Sequence, residues 1–235
     1  MESNGNKVAV VVGGTSGLGL AVATTFTANG FNVIIGARDQ GKLTKAAETI
    51  GGQTKGLLVD VTNQVAVEKF FEQIGTFDHL VLTASAGFAD RSLVETSLEE
   101  IKEFTDTKLW GALRCVKIGH KDITTGGSIT FVSGAVSRKG RAGAHAKTIT
   151  NNALEGLTRS LAAEFGSRIR VNCISPGMFD SKGTMTPTKR EEIGLLYPLR
   201  YVGNSNEVAA VIYTVATNHF MTGSVIFVDG GWTAV

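Results

Sequence analysis

Cysteine is scarce in this chain of 235 residues, with Cys115 and Cys173 the only two. Both sit in apolar surroundings, which excludes a disulfide scaffold and suits reduced, packed thiols in a cytoplasmic protein. An excess of one charge is also missing. A formal net charge of +2 leaves no electrostatic footprint for nucleic acid or an anionic membrane. No apolar run approaches membrane-spanning length, and the opening "MESNGNK" carries no apolar signal core. His79, His120 and His219 show no metal-ligand spacing with acids or cysteines. These absences leave a chain, 43% hydrophobic, able to bury a sizeable core and expected to act on a small molecule.

What is present is a rhythm. Strand-like apolar runs lie at 7–12, 32–37, 55–60, 78–84, 127–133, 169–175 and 224–229. Helical patterns separate them at 17–29, 40–50, 63–74, 97–118, about 143–166 and 205–218. Short β-branched runs without polar alternation suit strands buried on both faces, hence a parallel sheet covered by helices. With no linker and no repeat, residues 1–235 read as a single doubly wound α/β domain with a seven-stranded sheet.

The first strand-to-helix turn, "VVVGGTSGLGLAVA", carries Gly13, Gly14, Gly17 and Gly19 in a GxxxGxG spacing. Such a turn lets backbone approach a pyrophosphate, and the following helix N-terminus supplies N–H donors and the positive end of its dipole. Further motifs follow in order. They are Asp60-Val61, "ASAG" at Ala84, Ser85, Ala86 and Gly87, "FVSG", "ALEGLTRSLAAEF", "RVNCISPGMFDS" and the closing "TGSVIFVDGG".

Over residues 7–231 this series resembles the short-chain dehydrogenase/reductase family, NAD(P)(H)-dependent oxidoreductases with a Rossmann-type fold. The resemblance implies that Gly13, Thr15, Ser16, Gly17, Leu18 and Gly19 hold the cofactor's phosphates. It puts Asp60 and Val61 at the adenine, and Ala84 to Gly87 along the cofactor. Pro176 and Gly177 then meet the nicotinamide end, and Met178 and Ser181 are also implied to bind the cofactor. It also implies a homotetramer or dimer, with the last strand and the helices at 97–118 and 143–166 as interface elements, and a substrate lid at 178–200.

The family's catalytic positions hold other residues here. In "GAHAKTITNNALEGL" the family tyrosine position is Lys147 and the family lysine position is Asn151. The serine position falls on Gly134, with Ser133 one step away, and "DTKLWG" puts Lys108 where the family has asparagine. Lys147 and Asn151 share one helical face, whereas His145 lies on another. The sequence therefore points to Lys147 and Lys108 as a cationic site, with Ser133 as a displaced hydroxyl and Asn151 on the cofactor ribose. Two neighbouring ammonium groups lower each other's pKa, and a lysine poised there can act as general acid. No acid stands at these four catalytic positions, so the site should also disfavour an oxidised, positively charged nicotinamide ring.

At the end of the second run, where NAD enzymes place a carboxylate, "VIIGARDQGKL" has Ala37 followed by Arg38, whose guanidinium favours the 2′-phosphate of NADP(H). The expectation is an NADP(H)-dependent reductase of a small carbonyl compound or activated alkene. The alternatives are a redox-silent isomerase, lyase or cyclase on the same fold, or a cofactor-binding regulatory protein.

Overall fold

The seven β-branched runs become the strands of one parallel sheet in a computed structural model that describes residues 7–235. In chain order these are β1 (Val8–Val12), β2 (Asn32–Ala37), β3 (Lys55–Leu58), β4 (Phe77–Leu82), β5 (Ile123–Val132), β6 (Ile169–Pro176) and β7 (Val225–Val228). The spatial order is β3-β2-β1-β4-β5-β6-β7. The order reverses between β1 and β4, and the strand ends there open the crevice in which such sheets bind ligands.

The helices are α1 (Gly17–Ala28), α2 (Gln40–Ile50), α3 (Gln64–Ile74), α4 (Leu98–Thr105), α5 (Gly111–Gly119), α6 (His145–Phe165), α7 (Pro187–Gly194) and α8 (Ser205–Thr217). α3, α5 and α6 cover one face and α1, α2 and α8 the other, according to the two-residue period of the strands, while α7 packs Ile193 against Tyr197 and Val202 away from the sheet. Val10 and Val12 of β1 face Phe70 and Phe71 of α3, Cys115 of α5 and Leu154 of α6. Ala9 and Val11 face the other layer, with Phe26 of α1, Leu43 of α2 and Ile212 of α8. Each buried Phe or Leu contributes about 1.5–3 kcal/mol from its burial. Burial pushes the thiols of Cys115 and Cys173 up to about 12 and about 11, as befits packed, unreactive groups. His79 is likewise a core residue, bonded to Ser128 at 2.9 Å and held neutral by burial, its pKa lowered to about 4.

Besides α7, which lies outside the expected helical patterns, two elements depart from the sequence pattern. The single helix expected over 97–118 is broken by a π turn at Asp106–Trp110. Gly111 then packs where a Cβ would come within 2.5 Å of Val61, and Arg114 ties the widened turn down through Asp106 (2.7 Å) and the Val61 carbonyl (3.2 Å). Such single-turn insertions re-aim the side chains they carry, and Lys108 is one of them. The other departure is β5, which begins at Ile123 instead of Gly127 because Arg168 holds the carbonyls of Ile123 and His120.

Candidate active site

At the carboxyl ends of the strands two cavities adjoin and share Ser85. The larger, of about 780 Å³, is built on the glycine turn, and Gly13, Thr15, Ser16, Gly17, Leu18 and Gly19 all line it. The glycines are there because the turn has no room for side chains. A Cβ on Gly19 would sit 2.1 Å from the Gly13 carbonyl oxygen, and one on Gly13 would lie 2.7 Å from the Ala84 nitrogen. Ser16 is the N-cap of α1 yet its hydroxyl makes no capping bond, so the first N–H groups of the helix and this hydroxyl all remain for a ligand.

The same cleft takes in Arg38, Asp60, Val61, Ala84 and Ser181. Burial pushes the Asp60 carboxyl up, but bonds from the Thr62 N–H and hydroxyl, with the charges of Arg38 and Arg114, hold it below the usual carboxylate range. Asp39, beside Arg38, also lines the cleft and is the N-cap of α2, its Oδ1 accepting the Lys42 N–H at 2.9 Å. Lys42 lines the cleft as well. The sequence reading missed it, although its place on the first turn of the helix after β2 was a usable signal.

The second cavity, of about 410 Å³, holds the rest of the expected site: Lys108, Ser133, Lys147, Asn151 and the Pro176-Gly177-Met178 turn, together with Ala86. Gly87 lines neither cavity. Met178 is fixed at both ends by buried Tyr197, whose hydroxyl accepts the Met178 N–H (2.9 Å) and donates to the Met178 carbonyl (3.2 Å). Ser181 is anchored by the Ser205 hydroxyl, which donates to its carbonyl at 2.8 Å.

Within this cavity the four expected working residues differ sharply. Lys108 Nζ donates to the Ser133 carbonyl at 3.0 Å. Burial lowers its pKa to about 8; the Lys147 charge adds to the effect, while Cys173 and Glu155 oppose it. Lys147 instead pairs with Asp90 at 2.8 Å, and Arg141 grips the other oxygen of the same carboxylate. The expectation of a lysine pair with no acid nearby is corrected here, because the loop before α4 folds Asp90 onto Lys147.

Ser133 is also turned from the expected task. Its hydroxyl donates to Glu155 Oε1 at 2.9 Å. That buried carboxylate of α6 also receives the hydroxyls of Ser137 and Ser175. Glu155 had no role in the sequence reading, since a Glu within "ALEGL" looks like any exposed helical residue. Asn151 is buried, donates to the Gly134 carbonyl at 3.3 Å, and leaves Oδ1 without a partner. His145 lies outside the cavity wall, its ring against Phe88.

Comparison with known proteins agrees with the architecture. The family model described as Enoyl-(Acyl carrier protein) reductase matches residues 12–233. Carbonyl reductase family member 4 of Danio rerio is 32% identical over 234 residues, covering 96% of this chain and 98% of the relative. The 3-oxoacyl-[acyl-carrier-protein] reductase of Mus musculus is 32% identical over 232 residues, with 96% and 98% covered. Among solved structures, a small-chain dehydrogenase in complex with NADPH superimposes with a TM-score of 0.83 at 31% identity, covering 98% of this chain and all of that one. The seven-stranded sheet, the glycine-turn cleft and these relatives together define the class. The chain belongs to the short-chain dehydrogenase/reductase family of oxidoreductases.

Proposed function

We propose that this chain is an NADP(H)-dependent reductase of a small carbonyl compound or activated alkene, working through Lys108. The observation that carries the reading is a cation in the cavity wall, bonded to the Ser133 carbonyl, with a pKa near 8. A general acid works best when its pKa lies near the operating pH.

The residues present fit a nicotinamide dinucleotide. The turn offers a side-chain-free cradle at Gly13 and Gly19, with the open N-terminus of α1 behind it. Arg38 and Lys42 would hold the 2′-phosphate, and Asp39 is engaged as a cap. The orphaned Oδ1 of buried Asn151 is an acceptor suited to a ribose hydroxyl. Asp60, Val61, Ala84 and Ser85 would line the adenosine side, and Pro176, Gly177 and Met178 the nicotinamide side. Bound NADPH supplies the hydride that adds to the substrate carbon.

The chain's own task is the proton. As the carbonyl or enolate oxygen gains charge, the Lys108 ammonium donates to it, and the neutral amine recovers a proton from water at the cavity mouth. The Ser133 carbonyl keeps that ammonium aimed, since Glu155 and Lys108 fix the Ser133 hydroxyl and carbonyl respectively. Lys147, its charge shared with Asp90, binds and orients, and Lys108 takes over the chemical role that the sequence reading gave first to Lys147. In this reading the family's tyrosine, lysine, serine and asparagine are replaced in function as well as in sequence. The preference for a reduced nicotinamide ring then rests on Lys108 and is smaller than two unpaired lysines would give.

Residues 1–235 act as one domain, with 178–200 as the lid over the second cavity; α7 is the lid's only helix among the described residues. Trp110 and Ile149, 52% and 58% exposed on neighbouring elements, and the half-buried edge strand β7 suit a homotetramer or dimer. No helix among the described residues is long and apolar enough to cross a membrane, in keeping with a cytoplasmic role. The test is consumption of NADPH across a panel of carbonyl compounds and activated alkenes. Product formation without a change in nicotinamide absorbance would instead favour an isomerase, lyase or cyclase.

A further inference from the structure

The second cavity is unusual in the balance of its walls. Phe88, Phe104, Phe179, Ile193 and Leu196 make much of it apolar, yet Lys108, Arg141 and Lys147 also line it, and no aspartate or glutamate does. The Lys108 ammonium is buried, while Arg141 and Lys147 keep 35% and 29% of their side chains exposed, so the wall carries an excess of positive charge that an anion in the cavity would complement.

One carboxylate already does so from the side. Asp90 gives Oδ1 to Lys147 and Oδ2 to Arg141, one oxygen per cation. Among the described residues its side chain makes no other hydrogen bond, and residues 83–92 form no helix or strand. Lys147 sits on the first turns of α6, while Arg141, like Asp90, lies in an irregular segment, just before that helix. The pair is spaced for the two oxygens of one carboxylate, and the Asp90 side chain that fills the place is held by these two contacts alone among the described residues.

We propose that this cavity takes a substrate with an apolar body and a free carboxylate, and that the substrate carboxylate displaces Asp90 from Arg141 and Lys147. Asp90 is then a placeholder that keeps the cations spaced and lowers the cost of the empty site. The inference rests on the reductase reading, because it says which carbonyl compounds Lys108 meets: those whose carboxylate anchors them at the mouth.

The test is calorimetric binding of hydrocinnamate and of its neutral amide to the full chain saturated with NADPH. Neither probe carries a reducible carbonyl. The acid is expected to bind about tenfold tighter than the amide, the worth of a charge-assisted contact. Asp90→Asn removes the competitor and should tighten acid binding several-fold while leaving the amide unmoved. Arg141→Gln should erase the acid's advantage, and Arg141→Lys, which keeps the charge, should retain part of it. Equal binding of acid and amide, no acid binding even to Asp90→Asn, or a weakening of both probes in Asp90→Asn would overturn the proposal. Acid binding in a protein that never consumes NADPH would sink the reductase reading alone. Turnover of neutral ketones with equal binding of the two probes would sink only this inference.

Discussion

The ammonium of Lys108 and the carbonyl oxygen of Ser133 meet at 3.0 Å, one carried by the π turn between α4 and α5, the other just past the end of β5. The contact spans 25 positions of sequence. It brings a cation into the wall of a largely apolar cavity, and burial lowers its pKa to about 8.

That pKa has a consequence for stability. A lysine with a folded-state pKa of about 8 binds fewer protons than the unfolded chain between that pH and its ordinary value near 10.4. Stability therefore rises with pH across this window, and the cost of charging Lys108 is fully felt below it. Lys108→Met should stabilise the protein at pH 7 by about 1–2 kcal/mol, once the lost bond to Ser133 is set against the gain. The gain should shrink toward pH 10. Urea unfolding of both proteins across this range measures it.

Glu155 gives a prediction of opposite sign. Its buried carboxylate accepts hydroxyls from Ser133 (2.9 Å), Ser175 (3.2 Å) and Ser137. Glu155→Leu leaves these donors without their acceptor and should cost about 2–4 kcal/mol in the same unfolding experiment. Glu155→Gln keeps an acceptor oxygen and should cost less.

Much of this was legible in the sequence because the governing physics is local. Short, β-branched runs such as "VAVVV" suit strands buried on both faces, and the glycine turn declares itself through residues that leave room for backbone. Gly13, Thr15, Ser16, Gly17, Leu18 and Gly19 line the first cavity for that reason, whereas Gly87 lines neither cavity. The second cavity was legible as a set of positions but not as chemistry. Lys147 sits on the expected helical face, yet its partner Asp90 lies 57 residues away, and no pattern announces that contact. Lys108 fell within an apparently continuous helix, and only tertiary packing around Gly111 and Arg114 opens the π turn that carries it. Glu155 stayed hidden because helical periodicity does not reveal three hydroxyls arriving from other elements.

Cofactor choice should follow the residues after β2. With Arg38 and Lys42 in the cleft and Asp39 engaged as a cap, NADP(H) should bind at least about tenfold tighter than NAD(H). Arg38→Ala should remove most of the difference, and Arg38→Ala with Lys42→Ala the rest. Calorimetry with both cofactors decides it, and equal affinities in the wild type would count against the assignment.

The role of Lys108 is tested most directly by the pH dependence of NADPH oxidation, measured with a carbonyl substrate found in the panel, for wild type, Lys108→Met and Lys147→Met. If Lys108 is the proton donor, kcat in the wild type holds steady below about pH 8, where its ammonium is charged, and falls above that pH. Lys108→Met should lose about 100-fold or more in kcat and, with it, this limb of the profile. Lys147→Met should mainly raise KM and keep the limb. A wild-type rate that stays level through pH 9, or full turnover in Lys108→Met, would contradict the central claim.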